Sequence, residues 1–241
     1  GWSDGVADNP RQDKTITASI EVSAIFEIMF SGAGEMTSPF EITCIEELQA
    51  IHHFPDKHFV LVNSVDASST LAWNDGAGFE PVGTIEKPFT GTLDGKGHAV
   101  VGLVIKRPGK DNMGLFGVLG EGGNIRQLAL AEVSITGKDN VGALAGSNKG
   151  GAIVRCGATG AITGQNNVGG LIGYTETGTM EECRAHCTVK GNENIGGCAG
   201  FNMDCSFVRS YSLGGVEGNR NMGGFTGYLY QCTVSDCYAR G

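Results

Sequence analysis

The stretches GKDNVGALAG (Gly137–Gly146), GQNNVGGLIG (Gly164–Gly173), GNENIGGCAG (Gly191–Gly200) and GNRNMGGFTG (Gly218–Gly227) align without gaps, each 27 residues after the last. A fifth copy, GKDNMGLFG (Gly109–Gly117), begins 28 residues upstream of the first. Self-similarity at a fixed period marks a repeat architecture, in which a unit too small to bury its own apolar face is completed by its neighbours.

The columns of the alignment show what each unit contributes. Met113, Val141, Val168, Ile195 and Met222 share one column, and Phe116, Leu144, Leu171, Cys198 and Phe225 a second. Further along the unit come Ile153, Met180, Phe207 and Val234, then Ile135, Ile162, Val189 and Val216. Short β-branched or bulky runs bounded by glycine are strand chemistry. The reading is an all-β, right-handed parallel β-helix with 27-residue rungs. A polar column, Asn112, Asn140, Asn167, Asn194 and Asn221, suits left-handed corners whose amides bond one rung to the next. The glycines that follow the apolar position, such as Gly142 and Gly169, allow a sharp bend and a close approach of rungs.

These residues resemble the GLUG repeat family, whose core is similar to VGGLIG at Val168–Gly173. The resemblance implies a parallel β-helix in a surface or envelope protein, with small archaeal relatives that resemble sheath-forming proteins. It covers Gly109 to Gly241 closely and extends upstream. PFTGTLDGKGHAVVGLVI (Pro88–Ile105) looks like the strand that leads into such repeats, and FEITCIEELQAI (Phe40–Ile51) like their N-terminal cap. Thr43 and Glu46 stand at capping-box spacing there, which predicts a short helix. The domain reading is therefore an arm over 1–37, a cap with first rungs over 38–108, and repeats over 109–241.

The arm has a pattern of its own. In TITASIEVSAIFEIMF, the residues Ile16, Ala18, Ile20, Val22, Ala24, Phe26, Ile28 and Phe30 alternate with mostly polar neighbours. That period predicts a long β-strand, folded along its own solenoid or bent in two, or else added to a neighbouring subunit. The register leaves the final rung short and without a cap, which predicts either an end that stacks on another copy or a chain cut from a longer adhesin.

Composition bounds the rest. Forty glycines beside only six prolines, with no triplet period, argue for regular tight turns rather than collagen or disorder. A net charge of −9 gives no reason to bind nucleic acid or an anionic membrane, and no apolar run is long enough for a membrane helix. Eight cysteines, and a chain that opens on Gly1 rather than Met, fit an extracellular or cell-surface protein whose leader precedes Gly1. Cys205 with Cys232, and Cys156 with Cys183, stand one rung apart, within disulfide reach; Cys237, Cys187 and Cys44 are left without partners by that register.

No catalytic constellation, cofactor motif or metal set emerges. His52, His53, Asp56 and His58 match no zinc spacing, and Pro55 interrupts any helix that would align them. The acidic column Asp111, Asp139 continues as Asn166, Glu193 and Arg220, a mixed solvent face rather than a stacked acid cluster. Three functions follow in order. The first is an extracellular structural protein that assembles with copies of itself into a layer, tube or sheath. The second is an adhesin or carbohydrate-binding module, possible partners being other envelope proteins or polysaccharide. The third is a polysaccharide-active enzyme. An exposed aromatic row would favour the second, but Tyr174, Tyr228, Tyr230, Trp73 and Trp2 do not share one register.

Overall fold

Residues 30–240 of a computed structural model are described. Their strands stack in parallel into three sheets of eleven, nine and four strands. One rung shows the plan: Asn166–Gly169 lies in the four-stranded sheet, Ile172–Glu181 in the eleven-stranded sheet and Arg184–Lys190 in the nine-stranded sheet. Each pairs with the segment 27 residues on, as in Val168 with Ile195, Ile172 with Ala199 and Ala185 with Ser212. The coil of a parallel β-helix places equivalent residues about 4.8 Å apart along the axis.

The apolar columns fill the interior. In the eleven-stranded sheet one row runs Phe40, Phe59, Leu93, Ile125, Ile153, Met180, Phe207 and Val234. From Phe59 to Phe207 its members are at most 1% exposed. Each such side chain contributes about 1.5–3 kcal/mol of burial, and the row multiplies that along the axis. The solenoid therefore begins well upstream of the recognisable repeats, at Phe40.

The repeat motif has a steric reason. Asn112, Asn140, Asn167, Asn194 and Asn221 all adopt left-handed backbone, with φ between 51° and 60°. From the second repeat on, the last glycine lies against the asparagine corner of the preceding rung. A Cβ on Gly200 would stand 2.6 Å from the carbonyl carbon of Asn167, and one on Gly227 2.5 Å from that of Asn194. Asparagine and glycine thus form one contact between rungs, and the constant spacing from one repeat to the next is its record in the chain. The amides join too: Nδ2 of Asn140 donates to Oδ1 of Asn112 (3.0 Å), Asn167 to Asn140 (2.8 Å), Asn194 to Asn167 (2.9 Å) and Asn221 to Asn194 (2.8 Å).

Several expectations need correction. Phe116, aligned with Leu144 by counting from Gly109, pairs with Ala145, because the first repeat is one residue short between Met113 and Phe116. Pro88–Ile105 is not one leading strand; it holds Thr92–Asp94 and Ala99–Val101, and the start of Val104–Lys106, which together make most of a rung. The helix is Ile45–Ala50, capped by Cys44 rather than Thr43. Glu47, not Glu46, reaches back, its Oε2 accepting from the backbone N–H of Thr43 (2.6 Å) and Cys44 (3.3 Å). Ile16, Ile20, Val22, Phe26 and Ile28 lie outside the described residues. Phe30 lies in no strand and stacks on Phe40 of its own chain, ring centroids 4.9 Å apart, with Phe54 and Phe59 beside it.

Candidate functional site

The edge of the solenoid formed by the last described rung differs from every edge within it. Met222 is 53% exposed where its column neighbour Ile195 is 0% exposed, and Val234 is 43% exposed where Phe207 is 1% exposed. Tyr228, Leu229, Tyr230 and Tyr238 are exposed on the same rung. Among the described residues no further rung packs on these columns, and a parallel strand edge of this kind can pair with another strand. The opposite end is closed by the Phe30, Phe40, Phe54 and Phe59 cluster and by the buried Ile45 and Leu48 of the helix.

Two aromatic columns run out to that open edge. Tyr174, Phe201 and Tyr228 do share one register, with centroids 5.5 and 4.9 Å apart and planes within 10°. Phe201, which completes the row, is the member that a search restricted to Tyr and Trp misses. Tyr211 and Tyr238 stack likewise at 5.0 Å. Rings stacked face to face offer only their edges to the side, so the open ring faces of Tyr228 and Tyr238 point along the axis.

Opposite charges cross-link the rungs. Arg155 Nε meets Glu182 at 2.7 Å, Arg209 meets Glu182 at 3.2 Å and also Glu181, and Lys190 meets Glu217 at 2.6 Å. Arg220 pairs with Glu193 at 2.5 Å across the mixed column. Gln127, Arg155, Glu182, Arg209 and Asp236 all sit in left-handed backbone, φ 46° to 54°, and form a second corner. Exposed pairs of this kind contribute about 0–1 kcal/mol each. Deeper in, Asp94 accepts from Arg126 Nε and from the Lys96 backbone N–H, at 3.0 and 2.9 Å. Burial opposes its ionisation, but those two partners outweigh burial and hold the carboxyl below its usual value.

All eight cysteines are unbonded. Cys205 and Cys232 bring their sulfurs to 2.9 Å. Cys156 and Cys183 lie in the core, where each thiol turns to backbone carbonyls: Cys156 toward Val154 and Ile125, Cys183 toward Glu181 and Ile153. Burial pushes the Cys156 and Cys198 thiols well above the ordinary range and that of Cys187 up to about 12. An activated nucleophile needs the reverse. The His52 and His53 rings lie 3.8 Å apart with their planes tilted by 44° in the 3-10 turn Ile51–His53, and His58 opens the strand His58–Leu61. Among the described residues no three His, Cys, Asp or Glu side chains are grouped to hold a metal, and no helix is long and apolar enough to cross a membrane.

Against solved structures the chain is similar to a Bacteroides ovatus protein assigned as an immunoglobulin A1 protease, with a TM-score of 0.59 at 17% identity, covering 86% of this chain and 77% of that one. It is also similar to an IgA1 protease, with a TM-score of 0.60 at 18% identity, covering 83% of this chain and 20% of that one. The fold is a parallel β-helix. At such identity the likeness extends to the fold alone. In sequence, the chain is 37% identical over 148 residues to halomucin of Haloquadratum walsbyi, a match to 58% of this chain and 2% of that protein. It is 34% identical over 128 residues to a protein of Evansella cellulosilytica named as a Gly-rich membrane protein, a match to 51% of this chain and 15% of that protein. The matches thus span only a small part of these curated relatives. No family model matches the chain.

Proposed function

We propose that this chain belongs to a non-enzymatic structural protein of the cell surface, built of GLUG-type rungs, which assembles with copies of itself. The names of the two sequence relatives support the location, and the period-two apolar arm Thr15–Phe30, which the 27-residue register does not absorb, supports the assembly. In this reading the arm of one copy pairs, by strand addition, with the strand edge of the last rung of another. The arm's apolar residues alternate at period two, as a strand laid on that edge requires, and it joins the solenoid at Phe30, on the closed end. Seven steps along the stack separate Phe40 from Val234, roughly 34 Å at ~4.8 Å per step. Copies placed end to end therefore bring one copy's arm beside the next copy's open edge.

Electron microscopy and sedimentation of the purified chain under non-reducing and reducing conditions test it. The full chain should form filaments or sheets, and deletion of residues 1–29 or the edge substitution Val234→Lys should leave a folded monomer. A full chain that stays monomeric at high concentration, or a deletion variant that still assembles, overturns the reading.

A further inference from the structure

We infer that the nine-stranded face carries a binding groove for an acidic polysaccharide, with Arg184 as its central contact. Two clefts meet at this residue. One, of about 250 Å³, lies at the corner between Lys96, Arg155 and Arg184; the other, of about 300 Å³, lies on the sheet face between Arg184, His186 and Tyr211. Ala129 and Arg184 line both. Although the whole chain carries −9, no carboxylate lines either cleft. Lys96 and Arg155 have acidic neighbours, Asp94 at 3.4 Å and Glu182 at 2.7 Å. Among the described residues Arg184 has no such ion pair, so its charge is left for a ligand.

The groove is shaped by what is missing from its floor. Along one row the residues are Ala99, Ala129, Gly157, Arg184, Tyr211 and Tyr238. Small residues open the space, and Arg184 leans into it. A Cβ on Gly157 would stand 2.8 Å from Arg184 Cγ and 3.0 Å from its Nε, so the side chain occupies room that only glycine leaves. Because Arg184 leans away from Tyr211, the ring face of Tyr211 opposite Tyr238 is left to the cleft. A cation beside an aromatic face, with His186 and Thr159 as hydrogen-bonding groups at the side, suits a sugar ring that bears an acid.

The extent of the groove favours a polymer. From the rung of Ala99 to that of Tyr211 are four steps, roughly 19 Å. An extended peptide is a poor fit, because Gly157–Thr163 is paired on both sides and offers no free main-chain edge. The acid group is a uronate carboxylate or a sulfate ester, which share this chemistry.

Binding of the immobilised full chain to polygalacturonate, chondroitin sulfate, dextran, polyglutamate and duplex DNA tests the assignment. Saturable binding to either acidic glycan, weakened by salt and absent for dextran, is expected; which glycan binds identifies the acid. Arg184→Ala should weaken it by about tenfold, and Gly157→Ala, which keeps every charge but displaces Arg184, by several-fold, both with unfolding curves like the parent's. Arg184 is exposed, so its loss leaves the core intact. Equal binding of dextran, tighter binding of polyglutamate or DNA, no saturable binding, or an unchanged affinity in a folded Arg184→Ala chain overturns the proposal. The outcome is independent of assembly, which Val234→Lys tests at the other surface.

Discussion

Cys205 and Cys232 stand at the same position of successive rungs with their sulfurs 2.9 Å apart and no bond between them. Oxidised glutathione should join them: two thiols give up two protons and two electrons, and the reagent leaves as two thiols. Burial and the neighbouring Cys232 thiol push the Cys205 thiol upward, so the step should be slow at neutral pH and speed up as pH rises. Closing a loop of this length should raise stability by about 3–4 kcal/mol. Peptide mapping without reduction checks the pairing. Prior linkage of Cys156 to Cys183, whose thiols are turned to carbonyls, would reverse the expected order.

Asn167 serves both the corner and the amide ladder, and two substitutions separate the roles. Asn167→Gly keeps the left-handed backbone and removes the two amide bonds; Asn167→Ala removes the bonds and strains the backbone at φ 54°. Alanine should therefore cost about 1–2 kcal/mol more than glycine in denaturant unfolding. Equal costs would mean that the amides alone carry the column.

Asn148, Thr175 and Asn202 form a buried polar row that pairs rung to rung. Asn148 is satisfied by Gly151, but the Thr175 hydroxyl has no partner. Thr175→Val should leave stability unchanged or raise it by about 1 kcal/mol, since the shape is kept and a buried orphan is removed. A clear loss in the unfolding midpoint would show that the hydroxyl is bonded in solution.

Asp94 links stability to pH. Its folded pKa lies below the unfolded value, so its contribution is fully present above about pH 4 and is lost as pH falls through the lower folded value. Asp94→Asn should cost about 1–2 kcal/mol at neutral pH and flatten the acid limb of the stability curve. An acid limb identical to the parent's would remove Asp94 from the account.

Much of this fold was legible because parallel stacking converts a period in sequence into a column in space. Val141, Val168 and Ile195 needed only counting. Where one residue is lost, as before Phe116, counting slips while the core absorbs the change. The second corner was hidden for another reason: Arg155, Glu182 and Arg209 adopt left-handed backbone that residue type alone assigns to Asn or Gly. The helix start moved by one residue because Cys44, a residue outside the usual capping set, takes that place. The groove at Arg184 was invisible for the opposite reason to the core. It arises from a column whose members differ, and its shape depends on the absent side chain of Gly157.

The amide ladder also gives the molecule a direction. From Asn140 to Asn221 every Nδ2 donates toward the N-terminal side, so that among the described residues the ladder runs from a donor side at Asn112 to an acceptor side at Asn221. All the rungs are parallel, so no two-fold axis can relate copies that extend the stack. A polymer grown this way is heterologous and polar, with two chemically different tips, and it does not close on itself as a symmetric dimer does. Its two ends should elongate at different rates, and a blocked open edge should stop growth at one of them only.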